Sequence, residues 1–219
     1  MGMVLFSCLH GGVGMAGAMN IVIEGYEDVL KQIDSMQKDS AKVINRTIGD
    51  FKTRGPGWVS QEVVREYNIK KKDVNETKKG VKNAGRIRVG GVSLDNIEIQ
   101  YQGRLLTPTH FDMKPTAPVP WYECYRNYEQ ANTVTMKVFK KEPRKALGHK
   151  VFLAKSGGAG TTYIPFQRVG RRRLPIRSIK TVSVPQMITN ETVEENIYKR
   201  ISEELGKRLD HNLKRILGK

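Results

Sequence analysis

Apolar residues in the first part of the chain recur at helical spacing. Between Tyr26 and Phe51 most of them stand three or four positions apart, which predicts one long amphipathic helix. Gly55-Pro56-Gly57 is expected to end it, because proline lacks a backbone donor and glycine loses the most entropy on ordering. Ser60 then predicts the cap of a short second helix that extends through Tyr67.

A third helix is predicted directly afterwards. Asp73 and Glu76 form an approximate capping box at its start, and Gly85 is expected to close it. From residue 86 onward the period of the apolar residues changes to two. This alternation predicts half-buried antiparallel strands, with the following residues on their buried side: Ile87, Val89, Ile97, Ile99 and Tyr101.

Proline residues interrupt the strand region over 105–120. Because prolines remove ladder donors, we expect a long loop or arm there, suited to contacting a partner. Strands are predicted again at 134–138, 151–154 and 163–166. The glycine-rich stretch 156–160 between the last two predicts a hairpin.

The C-terminal part returns to helical spacing. The strand region is expected to end at Pro185, and Thr192 with Glu195 predicts a helix cap. Apolar residues then repeat every four positions from Val193 to Leu213, which predicts an amphipathic helix over 190–217.

The order of these elements predicts an α+β fold, with N-terminal helices packed on an antiparallel sheet and a long C-terminal helix. Helices are expected over 26–85, and strands with the Pro-rich arm over 86–185. We expect one domain over 19–219, preceded by a disordered leader over 1–18. The leader carries no charged side chain and lacks the basic start of a signal peptide, so Met19 is the expected true start.

Charge gives the strongest functional indication. The chain has 38 Lys and Arg against 22 Asp and Glu, a formal net charge of +16, which attracts polyanions. Cations are densest between Lys137 and Lys180, and a surface of this kind would bind phosphate without reading sequence and with strong salt dependence. A merely solvated face remains the alternative. The predicted contact residues are Lys140, Lys141, Arg144, Lys145, Arg168, Arg171, Arg172, Arg173 and Arg177.

No residue pattern predicts catalysis, a cofactor or a metal. The glycine run before Thr161-Thr162 lacks the lysine of a phosphate-binding loop. Asp95, Glu98 and Gln100 resemble a degenerate metal-dependent nuclease site, but Gln100 stands where that site needs a lysine. The two cysteines are far apart and have no CxxC companion. No run of about 20 apolar residues predicts a membrane span.

A helix-turn-helix over 60–82 is the alternative source of nucleic-acid binding. Val63, Val64 and Tyr67 would pack against Val74 across a turn at 68–69. The basic residues that would then face phosphate are Lys70, Lys71 and Lys72.

Several stretches in a shared order resemble the minor tail protein Z family of long-tailed bacteriophages and prophages, also described as tail completion proteins. The most distinctive is Phe166-Gln167-Arg168-Val169-Gly170. The others are 44–47, 63–74, 104–111, 151–155, 173–176 and 183–187.

The resemblance implies a non-enzymatic virion protein that acts late in tail assembly and in head-tail joining. Its implied partners are the tail terminator, the tail tube or the head-tail connector, with phage DNA bound without sequence specificity. It also fits a homo-oligomeric ring in the virion tail, formed in the bacterial cytoplasm. The helix-turn-helix regulator remains the alternative function.

Overall fold

The computed structural model describes residues 8–9, 18–22, 40–75, 86–90, 97–120, 122–123, 132–148, 150–155 and 162–217. Contacts divide the chain into two compact units. Unit one comprises Met1–Val63, Val74–Arg104 and Ser183–Lys219, and unit two comprises Val64–Asp73 and Leu105–Val182.

Helices and antiparallel strands occur together, which confirms the predicted α+β class. The helices are α1 (Ser40–Glu66), α2 (Lys71–Val74), α3 (Val184–Ile188) and α4 (Glu191–Leu217), with a 3-10 turn at Pro108–His110. The strands are β1 (Cys8–Leu9), β2 (Ala18–Val22), β3 (Arg86–Gly90), β4 (Glu98–Gln102), β5 (Thr135–Met136), β6 (Lys145–Ala146), β7 (Val151–Lys155), β8 (Tyr163–Arg168) and β9 (Ile176–Ser178).

Unit one contains a four-stranded antiparallel sheet in the order β1-β2-β4-β3. Ile97, Ile99 and Tyr101 are buried, whereas Glu98 and Gln100 between them are half-buried. This alternation is the one that the period of two predicts, because successive strand residues point to opposite faces. The predicted antiparallel strands around Ile87 and Tyr101 are therefore confirmed.

Part of the predicted leader takes part in this sheet. Cys8 and Leu9 of β1 pair with Met19 and Ala18 of β2. Residues 1–7 and 10–17 lie outside the described residues, so the disorder predicted for them stays a prediction.

The predicted helix stop at Gly55-Pro56-Gly57 is wrong, because α1 continues through it to Glu66. A Cβ on Gly55 would lie 2.9 Å from Ile99 Cδ1, so this glycine lets the helix approach the sheet closely. Burial of Val59 and Val63 beyond it favours continuation. Ser60 is not a cap, since it lies inside α1 and its Oγ donates to the Gly57 carbonyl.

The start of the predicted first helix and most of the predicted third helix cannot be compared with the described residues. Residues 23–39 and 76–85 lie outside the description, so helix predictions there stay predictions. Asp73 lies within α2 and not before its first residue, so it does not cap that short helix.

The amphipathic character predicted for α4 is confirmed. Its buried residues repeat every four positions: Val193, Ile197, Ile201, Leu205 and Leu209. The helix begins at Glu191, so the predicted cap at Thr192 is wrong. Buried Asn212 links α4 to α1, because its Nδ2 donates to Thr47 Oγ1 at 3.2 Å and to Asp50 Oδ2 at 3.3 Å.

A short helix replaces the predicted end of the strand region. Ser183 caps α3: its Oγ accepts from the Gln186 backbone N–H, and the Gln186 side chain accepts from the Ser183 N–H. Val184 is therefore helical, and Pro185 stands at a first-turn position where its missing donor costs nothing.

Unit two contains the three-stranded antiparallel sheet β7-β8-β9 and the small pair β5-β6. The predicted hairpin is confirmed, because Lys155 pairs with Tyr163 across residues 156–162. Segment 105–120 contains no strand, as predicted, but it is not a free arm. Phe111 and Met113 are buried, and the backbone of Lys114 exchanges hydrogen bonds with Thr135.

Candidate nucleic-acid interface

The nine predicted contact residues lie in unit two, in two groups. The first group, here the loop cluster, lies around β6 and comprises Lys140, Lys141, Arg144 and Lys145. The second group lies on the hairpin that joins β8 to β9, here the arginine hairpin (168–177). Its members are Arg168, Arg171, Arg172, Arg173 and Arg177.

Carboxylates of the same unit largely neutralise the loop cluster. Lys141 Nζ lies 3.0 Å from both carboxylate oxygens of Glu66, and Lys145 Nζ lies 2.6 Å from Glu142 Oε2. Arg144 pairs with the Asp112 carboxylate, and its Nη1 donates to the Asp112 carbonyl at 2.6 Å.

These contacts connect the loop to the rest of unit two. The backbone N–H of Lys140 also donates to the Glu66 carbonyl, which holds the same loop against the end of α1. Because exposed ion pairs contribute only about 0–1 kcal/mol each, their main effect is to cancel local positive charge. The loop cluster is therefore a weak site for an external polyanion.

The arginine hairpin has a defined backbone geometry. Arg168 pairs with Ile176 and Gln167 pairs with Arg177, while the Val169 N–H donates to the Pro175 carbonyl at 3.1 Å. Residues 170–174 consequently form its tip. The three tip arginines are exposed and have no ion-pair partner among the residues described: Arg171, Arg172 and Arg173.

Strand alternation separates two of the predicted contact residues. Since successive residues of a strand face opposite sides, Arg168 shares a face with Phe166, whereas Arg177 shares the other face with its partner Gln167. Contacts agree with this geometry. The Arg168 guanidinium lies 5.5 Å from the Phe152 ring centroid, and Arg177 Nη2 donates to Gln167 Oε1 at 2.9 Å. The structure therefore does not bring Arg168 and Arg177 into one flat surface.

The hairpin also exposes apolar side chains that the sequence-based set lacks. Val169 is 61% exposed, Leu174 65% and Ile176 38%. Val169 and Leu174 flank the segment that contains the three tip arginines. This position beside a run of arginines was the sequence feature that could have identified them as contact residues. An isolated exposed aliphatic residue is ordinary, but a cluster beside unpaired arginines suits a contact surface.

An open groove of about 440 Å³ lies at the base of the hairpin. It is lined by Lys150, Val151, Phe152, Arg168, Gly170 and Arg171. No acidic side chain is among these described lining residues. Lys150 and Phe152 are additions to the predicted contact set, and the fold brings them to Arg168 across the β7-β8 pair.

The lysines of the helix-turn-helix alternative are exposed at the start of α2: Lys70, Lys71 and Lys72. The turn before them is bound within unit two, because the Tyr67 and Phe139 ring centroids lie 4.6 Å apart and the Asn68 N–H donates to the Val138 carbonyl. Burial and the nearby Glu66 charge raise the pKa of Tyr67. Tyr67 and Asn68 are therefore held by contacts with Val138 and Phe139 within unit two.

The residues of the nuclease-like pattern and of the glycine run are described only in part. Glu98 is half-buried on β4, while Asp95 and residues 156–161 lie outside the description. Within the described ranges, no group of three or more His, Cys, Asp and Glu side chains could hold a metal ion. No helix in the same ranges has the length and apolarity needed to cross a membrane.

Comparison of the chain with known protein families, curated proteins and solved structures finds no match. The resemblance to the minor tail protein Z family rests on the sequence stretches alone.

Proposed function

We propose that this protein is a structural tail completion protein of a bacteriophage or prophage, with no bond chemistry of its own. It acts late in tail assembly and in head-tail joining, and Arg168 and the tip arginines of its hairpin face DNA or an acidic partner. The ordered sequence resemblance across most of the chain supports the assembly role. The unpaired cations of the hairpin support the polyanion contact.

The single observation that carries the proposal is the difference between the two basic groups. Three of the four loop-cluster cations pair with Glu66, Asp112 and Glu142, whereas the tip arginines have no such partner in the described chain. Holding three adjacent like charges together without compensation is unfavourable in the isolated subunit. An external anion removes this repulsion, which is the physical reason to assign the hairpin to a binding partner.

Several stretches that carry the resemblance coincide with well-defined local structure. Ser183 and Gln186 form the capping box of α3, and Gln167 holds Arg177. Phe111 is fully buried in the segment 105–120. The proposed partners are the tail terminator, the tail tube or the head-tail connector, and the protein acts in the virion tail as a homo-oligomeric ring. Ring symmetry would multiply the charge of each hairpin.

Deletion of the coding gene from its phage or prophage tests this proposal. We expect complete tail tubes, visible by electron microscopy, that yield few or no infectious particles. Supplying the wild-type protein from a plasmid should restore infectivity, which controls for effects on neighbouring genes. Normal infectivity after deletion would contradict the proposal.

The helix-turn-helix regulator receives less support. Ser60, which would cap its first helix, lies inside α1, and Tyr67, directly before the predicted turn at 68–69, contacts Phe139.

A further inference from the structure

The groove at the base of the arginine hairpin lies at one end of the three-stranded sheet of unit two. Lys150 directly precedes β7, and the first β7 residue, Val151, pairs with Gln167. Lys150 and Arg168 both line the groove, at the point where β8 enters the hairpin. The fold thus brings together cations that are separated by 18 positions in the sequence.

The charged residues described in this groove are all cations. Lys150, Arg168 and Arg171 line it, and none of the three has an ion-pair partner in the described part of the chain. The remaining lining residues are Val151, Phe152 and Gly170. Among its described residues, the groove therefore presents several N–H donors to a ligand and no competing carboxylate.

Arg168 is positioned before any ligand binds. Its guanidinium lies 5.5 Å from the Phe152 ring centroid, a distance typical of a cation–π contact. The Phe152 ring in turn stacks with Phe166, at 6.2 Å between centroids and an interplanar angle of 27°. Phe152 and Phe166 are direct cross-strand partners, and Arg168 is the diagonal neighbour on the same face. Prior positioning lowers the entropy lost when the guanidinium binds an anion.

We propose that this groove binds the phosphate groups of duplex DNA, with Lys150, Arg168 and Arg171 as the contacts in the groove. Arg172 and Arg173 bind the next phosphates along the backbone. This inference rests on the proposed function, and it specifies duplex DNA as the bound polyanion and the groove as the binding site. Guanidinium groups suit phosphate because their N–H donors match two of its oxygens at once.

Charge density favours DNA over an acidic protein segment. Duplex DNA carries one negative charge per roughly 1.7 Å of helix axis. Counted in the same way over both of its faces, a fully acidic extended peptide carries one charge per roughly 3.4 Å, half the density of the duplex. The concentrated cations of the groove and hairpin tip therefore match the DNA backbone better.

The aromatic residues favour a duplex over a single strand. Binding of single strands depends on aromatic rings on which bases stack. In the groove, Phe152 is already in contact with Arg168 on one side and with Phe166. The groove thus reads phosphate and not bases, and its binding is independent of sequence.

The test measures binding of the full-length protein to a fluorescent DNA duplex over a series of salt concentrations. Lys150→Gln, Arg168→Gln and Arg171→Gln should each weaken binding several-fold at low salt. Each should also reduce the slope of log affinity against log salt by about 0.9, the value for one phosphate contact. Arg177→Gln is the matched control, since Arg177 lies on the opposite sheet face and is bound to Gln167, and it should leave the slope unchanged.

Lys150 and Arg171 are exposed, so their variants test the groove even if Arg168→Gln disturbs folding. An unchanged slope for Lys150→Gln and Arg171→Gln would overturn the proposal, as would an equal loss for Arg177→Gln. Binding of polyglutamate or of single-stranded DNA more tightly than the duplex, with the same dependence on these variants, would also overturn it.

The outcome is separable from that of the gene deletion. If groove variants lose duplex binding while particles lacking the protein remain infectious, the groove assignment stands and the tail function fails. If deletion abolishes infectivity while the groove variants keep the wild-type salt slope, the tail function stands and the groove assignment fails.

Discussion

Lys141 and Arg172 carry the same formal charge but have different surroundings. Lys141 lies 3.0 Å from the Glu66 carboxylate, whereas Arg172 is exposed and lacks a carboxylate partner among the described residues. Arg172 can therefore bind an external anion without breaking an ion pair, whereas Lys141 would first have to leave Glu66. At the scale of single residues, the capacity to bind is thus decided by neighbours and not by residue type.

Tyr101 shows the same dependence on surroundings for a buried hydroxyl. The side chain is 2% exposed, and its hydroxyl has no hydrogen-bond partner in the described structure. Burial raises the pKa of Tyr101 far above its ordinary value of 10. The folded protein therefore keeps this phenol protonated at pH values where the unfolded chain ionises it.

We predict that Tyr101→Phe does not destabilise the protein near neutral pH, and that it raises the free energy of unfolding by up to about 1 kcal/mol, because an unpaired buried hydroxyl is removed. As pH rises above about 10, the wild type should lose stability that the variant keeps, since only the unfolded tyrosine ionises. Urea unfolding at about pH 7 and about pH 11 measures both effects.

Tyr163→Phe removes a hydroxyl from a half-buried tyrosine and serves as the comparison. A loss of more than about 1 kcal/mol for Tyr101→Phe at neutral pH would show that its hydroxyl has a hydrogen-bond partner in solution.

At the scale of elements, α1 depends on its contacts with the sheet. Proline and glycine within a helix cost roughly 3 and 1 kcal/mol relative to alanine, and α1 contains Gly55-Pro56-Gly57. The helix persists because Phe51, Val59 and Val63 are fully buried along it. Burial of each such side chain contributes about 1.5–3 kcal/mol, which outweighs the local preference to stop.

The two glycines of this stretch should respond oppositely to alanine. A Cβ on Gly57 would have nothing within 4 Å, so Gly57→Ala should stabilise the protein by about 0.5–1 kcal/mol. On Gly55 the Cβ would lie 2.9 Å from Ile99 Cδ1 and 3.4 Å from the Phe51 ring, so Gly55→Ala should destabilise it. Thermal and urea unfolding of the two variants measure the difference.

Gly49 offers a second open position in the same helix, and Gly49→Ala should behave like Gly57→Ala. If Gly55→Ala stabilised the protein as much as these two, the close approach of α1 to β4 would be contradicted.

At the scale of the whole molecule, the net charge of +16 gives every surface some affinity for DNA. The effect of where cations lie must therefore be separated from the effect of total charge. Unit two holds two triplets of exposed cations that allow this comparison. One is Arg171 to Arg173 on the hairpin tip, and the other is Lys70 to Lys72 around the start of α2.

We predict that unlabelled duplexes of unrelated sequence compete equally for the wild-type protein. Changing the three hairpin arginines to alanine should lower the salt slope by up to about 3, which corresponds to three phosphate contacts. Changing Lys70, Lys71 and Lys72 to alanine removes the same charge and should lower the slope less. Titration of a fluorescent duplex with each variant measures this.

Preference for one duplex over bulk DNA, lost when the three lysines are changed, would instead favour the helix-turn-helix regulator. Equal effects of the two triplets would indicate that total charge alone governs binding.

Periodicity of apolar residues was sufficient to predict α4, the β3-β4 pair and the hairpin of β7 and β8. The reason is that burial of one face requires apolar residues to repeat every 3.6 residues in a helix or every 2 in a strand. This repeat is visible in the short sequence segment that forms the element. Local breaker signals were less informative. The stop at Gly55 was wrong because contacts from distant residues override preferences of about 1–3 kcal/mol. The cap at Thr192 was wrong because α4 already begins at Glu191.

The sequence by itself determined the α+β class and the region where positive charge concentrates, because composition and spacing are local properties. Only the tertiary structure decided which of those cations are free. Glu66 and Asp112, which neutralise Lys141 and Arg144, lie 75 and 32 positions away from them. The fold likewise brought Lys150 and Arg168 to one groove, and strand pairing turned Arg177 to the other face. Ion pairing, and the groups that surround a side chain, depend on distances in space. The order of residues along the chain does not specify these distances.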